Sequence, residues 1–245
     1  MSTEFVFLTP AFNCQEDIEK TLYSMLAQSY KKWRAIFIDD VSDDNTENAV
    51  RDIAKSLNLG DRVKIVRREE KFGETRNTLA EIENIKDNEV VCRLDGGDWL
   101  TENDTLAFLD QIYQKHNPSV LWTKHRWAYT SQNISGPMNL QQGQTVYQHP
   151  WVSSHLKTFR AEKLKRVPKQ NFYDENGDWI MIACDQTVFL PMMHMSIQNK
   201  EPIVHLPLVC YHYNIDLQKP NLYHNERSYK QRDMALWVRE RGFLE

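Results

Sequence analysis

Val90-Val91-Cys92-Arg93-Leu94-Asp95-Gly96-Gly97-Asp98-Trp99-Leu100 begins as an apolar run and stops at two carboxylates separated by two glycines. A strand that ends this way delivers acidic side chains to the carboxyl edge of a sheet, where ligands of open α/β folds bind. Gly96 and Gly97 remove side-chain bulk there and let the backbone turn closely around a ligand. Two carboxylates this near each other repel unless a cation or a shared proton neutralises them. A hard divalent ion held together with substrate phosphates does so most simply. Alone, Asp-Gly-Gly-Asp reads equally well as a polar β-turn, because Asp and Gly are ordinary turn residues.

The residues before this stretch decide between the two. Phe5 to Leu8, Trp33 to Ile38, Val63 to Val66 and Glu89 to Leu94 are short apolar runs of the kind buried on both faces of a parallel sheet. Pro10 is expected to close the first. Between them, Glu16 to Ala27, Thr46 to Leu57 and Gly73 to Ile85 carry apolar residues at helical spacing. Strand and helix thus alternate, which implies right-handed crossovers and a mostly parallel sheet.

Beyond Leu100 the pattern loosens. Asn103 to His116 reads as helix, Ser119 to Tyr129 as an aromatic strand and Ser131 to Gln148 as a polar loop or hairpin. A short helix follows at Glu162 to Val167, and a longer one at Ile180 to Met195 is disturbed at Pro191. Ile203 to Tyr213 is a strand and Glu226 to Arg239 a terminal helix. No Ser- or Pro-rich linker interrupts the chain. The expectation is one domain over residues 1–245, with a nucleotide-binding half to residue 100 and an acceptor-binding half after it.

Composition adds boundaries. The 245 residues are 41% hydrophobic and 26% charged, ordinary for a soluble globular protein. A net charge of -4 gives no global pull toward nucleic acid or anionic membrane. The four cysteines, Cys14, Cys92, Cys184 and Cys210, form no C-x-x-C pair, which argues against a zinc knuckle or a disulfide framework. The first residues lack a basic n-region, and no stretch approaches the roughly 20 apolar residues that span a bilayer. A reducing, cytoplasmic setting is expected.

Four polar clusters fall at the strand ends: Thr9-Pro10-Ala11-Phe12-Asn13, Asp39-Asp40, Lys71 to Asn77, and Asp95 to Asp98. In a parallel sheet all of these lie on one edge. Here the chain resembles the GT-A glycosyltransferases, family 2 in particular, from Phe5 to about Tyr213. Thr9 to Asn13 is similar to the family's opening strand motif, and Ile38 to Asp44 to its acidic turn after the second strand. Gly73-Glu74-Thr75-Arg76-Asn77 resembles its Gly-x-x-x-Arg-Asn segment, and Leu94 to Leu100 its metal-binding D-x-D region.

The resemblance implies a Rossmann-like GT-A fold, a nucleotide-sugar donor, a UDP-sugar by preference, and Mn²⁺ or Mg²⁺. Thr9, Pro10, Phe12, Asn13 and Asp39 would hold the nucleotide, Asp39 by accepting from a uracil ring nitrogen; Asp40 and Arg76 would help fix it. Asp95 and Asp98 would hold the ribose and the metal, with Asp98 favoured as the direct ligand. Gly97 stands where the family usually has a third carboxylate. Asp185 matches the family's general base at the start of a helix, with Asp174, Glu175 and Asp178 as rivals; as a helix-start acid it would also suit the dipole. His155 lies in Ser153 to Arg160, which resembles the family's segment lining the donor sugar and acceptor. Trp151 and Trp179, among the aromatics of the second half, are candidates to pack on sugar faces, or else to serve as core or rim packing. His212 and His224 are candidate metal ligands, because Asn214 stands where the family's C-terminal His is expected.

Lys157, Arg160, Lys163, Lys165, Arg166 and Lys169 read as a solvated helix face, or as a track for a phosphate backbone. The expectation is therefore an inverting, metal-dependent transferase acting on a saccharide hydroxyl. A hydroxymethylated base in DNA is the alternative acceptor. A nucleotidyltransferase and a non-catalytic nucleotide-binding module are the rival classes. The first lacks a Gly-rich, basic triphosphate loop after strand one.

Overall fold

The computed structural model describes residues 2–128, 130–214 and 226–245. Four strands come first: β1 (Phe5–Ala11), β2 (Trp33–Asp39), β3 (Val63–Arg67) and β4 (Val90–Arg93), separated by α1 (Ile18–Leu26), α2 (Thr46–Ser56) and α3 (Gly73–Ile82). Then come β5 (Trp99–Leu100), α4 (Thr105–His116), β6 (Val120–Trp127), β7 (Lys157–Arg160), α5 (Ala161–Lys165), α6 (Cys184–Gln198), β8 (Ile203–Tyr213) and α7 (Glu226–Arg241). The eight strands form one sheet in the order β3-β2-β1-β4-β7-β6-β8-β5.

The sheet is α/β and mixed. β1, β2, β3 and β4 pair in parallel. β7 then runs antiparallel between β4 and β6. β8 is parallel to β6 and antiparallel to the short β5. Each strand of the first half feeds both layers of the core. Phe5 and Phe7 join the cluster beneath α1, α2 and α4, whereas Val6 and Leu8 join the one beneath α3, α5, α6 and α7. Period-two alternation between two apolar faces is what a buried parallel strand requires.

Three departures from the sequence reading bear on the site. β1 continues through Pro10 to Ala11. The Pro10 carbonyl accepts from Gly96 N at 2.8 Å, so the missing N–H faces the β4 side. The ladder to β4 has already ended at the Leu8–Arg93 pair, and no bond is lost. α6 starts at Cys184, because Ala183 takes a left-handed φ of 58° and turns the chain into the helix; Pro191 is carried inside it. β7, hidden in a segment read only for its polar residues, is the strand that joins the halves.

Candidate active site

The carboxyl ends of β1, β2 and β4 bring the predicted clusters to one edge, where their loops are tied to each other. Asn13 N–H donates to Ser42 Oγ at 3.1 Å, and Asp43 N–H donates back to Asn13 Oδ1 at 2.8 Å. Asp39 is buried, accepting from Ser42 N–H and from the Arg67 guanidinium. Asp40 accepts from Phe72 N–H at 2.8 Å and Gly73 N–H at 2.9 Å, so it caps the N-terminus of α3 with both oxygens. Thr9 is fully enclosed and its hydroxyl has no partner among the described residues. Phe12 is exposed under the Lys71 ammonium. Arg76 pairs with Glu70 at 3.0 Å and stacks over Phe72.

The glycines of the Asp-Gly-Gly-Asp turn have separate reasons. A Cβ on Gly96 would stand 2.8 Å from Ala11 Cβ, so this position holds β4's exit against β1's. Gly97 has φ +94°, which L side chains rarely adopt. A third carboxylate there would be strained.

The two aspartates have different surroundings. Asp95 remains 28% exposed and accepts from the Arg93 guanidinium at 3.1 Å. Asp98 is buried. Its oxygens accept from the Tyr211 hydroxyl at 2.5 Å and from Asn214 N–H at 2.8 Å. Desolvation, followed by the charge of Asp95, pushes its carboxyl well above the usual range. The residue favoured as direct metal ligand thus anchors β8 to the turn, and Asp95 is the one open to a ligand. Asn214 adds a second tie, donating from Nδ2 to Asp17 at 2.7 Å.

His212 does not join this group. Its ring lies against Trp99, and Arg126 donates to its Nε2 at 3.1 Å. His224 and Tyr129 lie outside the described residues. No group of three or more His, Cys, Asp or Glu side chains that could hold a metal occurs among the described residues. The donors present fit a divalent ion in part: Asp95 offers carboxylate oxygen, and a diphosphate and water would supply the rest.

Asp185 sits in the first turn of α6, 34% exposed, in an ion pair with Lys157 Nζ. Lys157 is 2% exposed. The solvated-face reading therefore fails for Lys157, because its side chain points from β7 into the floor of the site. Desolvation would raise the Asp185 carboxyl, but Lys157 and then His155 outweigh it and hold the group well below the usual range. His155 is buried, stacked on Tyr211 at 4.6 Å, and lowered to about 4 by burial and then by Lys157, so it is a neutral imidazole near pH 7. Trp151 faces the same ammonium at 5.8 Å. Trp179 packs on Tyr173 at 4.5 Å.

Three residues that the sequence reading gave no role complete the floor. Arg93 is 5% exposed and bonds Thr78, Asp95 and Glu74. Glu74, 44% exposed, is pushed up to about 7 by desolvation and then by Asp95. Tyr211 links His155 to Asp98. The available signal was a charged residue inside an apolar strand, as in Val91-Cys92-Arg93-Leu94 and Leu156-Lys157-Thr158-Phe159.

A sequence model described as Glycosyl transferase family 2 matches residues 6–171. The chain is 35% identical over 66 residues to TuaG of Bacillus subtilis (strain 168), named as a teichuronic acid biosynthesis glycosyltransferase; the match covers 27% of this chain and 25% of that protein. S. aureus TarS is similar in structure, with a TM-score of 0.66 at 19% identity, over 96% of this chain and 42% of that one. Its form with UDP-GlcNAc gives a TM-score of 0.65 at 16% identity, over 99% and 68%. The mannosyltransferase PcManGT from Pyrobaculum calidifontis, in complex with GDP-Man and Mn²⁺, gives 0.58 at 19% identity, over 86% and 56%. At these identities the structures show a shared fold. The chain spans about a quarter of TuaG and less than half of TarS.

Proposed function

The chain belongs to glycosyl transferase family 2, and on that premise we propose that it moves a sugar, with inversion, from a UDP-sugar to a saccharide hydroxyl. The observation that carries the reading is the placement of Asp185. It is a partly exposed carboxylate at the start of α6, and the buried Arg93 guanidinium that bonds Asp95 also feels its charge.

In this reading the strand-end loops hold the nucleotide. Phe12 offers a partly exposed ring capped by the Lys71 ammonium, and Arg76 stacked on Phe72 offers a cation at the rim. Asp95 would hold Mn²⁺ or Mg²⁺ together with the diphosphate; the ion supplies charge neutralisation to the departing group. Asp185, ionised, accepts the proton of the acceptor hydroxyl as that oxygen bonds to the anomeric carbon. A carboxylate of low basicity takes this proton late, after the new bond has made the hydroxyl acidic. Trp151 and Trp179 supply apolar faces to sugar C–H groups.

A DNA acceptor finds no support in the basic group. Arg160 bonds Asn117 and the Asn88 carbonyl, Lys163 pairs with Glu201, Lys165 with Asp87 and Arg166 with Glu162. Charges so satisfied make a poor phosphate track. Among the described residues no helix is long and apolar enough to cross a membrane.

The test is a thermal-shift panel of nucleotide-sugars with and without Mn²⁺. UDP-sugars are expected to raise the midpoint, and Mn²⁺ to do so only alongside them, because the protein alone offers too few oxygens. A response to GDP-sugars instead would overturn the donor assignment. Binding without transfer to any saccharide would favour the non-catalytic module.

A further inference from the structure

Arg93 and Lys157 face each other directly across the antiparallel β4–β7 pair. Like charges at opposed positions destabilise a sheet, and these two are also removed from water, at 5% and 2% exposure. Burying either cation unpaired is strongly unfavourable. Each is met by carboxylates: Arg93 by Asp95 just past the end of β4 and by Glu74 of α3, Lys157 by Asp185 of α6. Those carboxylates are 28%, 44% and 34% exposed. The cations are closed beneath the site, and their partners are open to it.

We propose that this cross-strand cation pair is a positioning device for the transfer, in which Lys157 fixes Asp185 toward the acceptor. The proposal rests on the reading of Asp185 as the base. Lys157 touches no substrate in it and acts through the carboxylate. The charged and titratable groups around Asp185 are Lys157 from β7, His155 just before that strand, Arg93 from β4, Glu74 from α3, His125 from β6 and Cys184 beside it on α6. Lys157 is the one that bonds it. Without Lys157 the desolvation of Asp185 is opposed only by His155 and Arg93, and its carboxyl rises. In the native protein Asp185 stays ionised well below neutrality and imposes no loss of rate there. In a Lys157→Met protein the rate falls with pH on the acid side, because the raised carboxyl protonates.

The experiment compares the full chain with Lys157→Met, Lys157→Arg, Asp185→Asn and the double variant Lys157→Met/Asp185→Asn. UDP affinity in Mn²⁺ is measured beside kcat from about pH 5 to about pH 9. Lys157→Met is expected to lower kcat about 100-fold with UDP affinity within about twofold, and to show the new acid limb. Lys157→Arg should recover at least about tenfold of the loss. The double variant should be no slower than Asp185→Asn, because both changes remove one unit. A Lys157→Met protein with native kcat and a flat profile overturns the proposal, and so does one whose UDP affinity falls as far as its kcat. If Lys157→Met does not fold, Lys157→Arg decides: a reduced kcat at unchanged UDP affinity supports the pairing, and a native kcat overturns it. Normal turnover by Asp185→Asn removes the base itself, whereas an inactive Asp185→Asn beside an unaltered Lys157→Met overturns only the pairing.

Discussion

The two halves of the sheet hold their share of the site by different means. Around β1 to β4 the ties are between neighbouring loops: Asn13 with Ser42 and Asp43, Cys14 with Thr46, Asp40 with the start of α3. Around β6 to β8 they come from far along the chain. Arg241 donates to the carbonyls of Tyr173 at 2.7 Å and Asn171 at 2.9 Å. Arg239 donates to the His149 carbonyl and to Gln186, next to Asp185. Asn171 and Leu244 bond each other in both directions. On the proposed reading, the nucleotide side is stiffened mainly by local ties, apart from the bonds of Asp98 to Tyr211 and Asn214, and the acceptor side by its terminal helix and tail. A change in one set should therefore reach one substrate and spare the other.

The largest effect tests the contrast at the chemistry. Asp185→Asn should lower transfer by about 10²- to 10⁴-fold while UDP binding is kept; equal loss of both would place Asp185 on the donor. Next comes Gly97→Ala, which forces a side chain into φ +94°. It should cost about 1–3 kcal/mol of stability in urea unfolding and weaken UDP binding, leaving the acceptor KM of the surviving protein unchanged. Arg241→Ala should raise the acceptor KM about tenfold, roughly 1.4 kcal/mol, at unchanged UDP affinity. A parallel loss of UDP affinity would show that the halves are coupled. The smallest change is Asp40→Asn, which replaces one acceptor at the α3 cap. It should cost about 1 kcal/mol and be visible as a few-fold weaker UDP binding alone.

The same contrast explains what the sequence disclosed. Parallel strands joined by helices leave a local signature, so β1 to β4, the turn at Asp39-Asp40 and the Asp-Gly-Gly-Asp edge could all be read from runs and spacings. β7 could not. Its partners are fixed by register with β4 and β6 across a long irregular segment, and register is a property of the assembled sheet. That is why Lys157, counted with a solvated face, proves to be enclosed. Asp98 shows a second limit. A carboxylate beside a metal motif carries the same letter whether it faces ligand or accepts from Tyr211 and the Asn214 backbone, and only the arrival of β8 and the segment after it distinguishes the two. Arg239 and Arg241 left no motif at all, since their acceptors are backbone carbonyls.

β4 has a bearing on how the molecule assembles. Its left-hand partner, β1, belongs to the preceding βαβ unit, while its right-hand partner, β7, is made much later in the chain. During synthesis the parallel unit can close while one side of β4 still offers bare backbone groups, the circumstance in which nascent sheets recruit wrong neighbours. The strand that waits is short and otherwise apolar, Val90-Val91-Cys92, and it ends in Arg93. A charge at that point disfavours premature pairing, and Lys157 docks opposite it with Asp185 of α6 as its carboxylate partner. The residues proposed to poise the reaction would then also influence when the two halves of the sheet join.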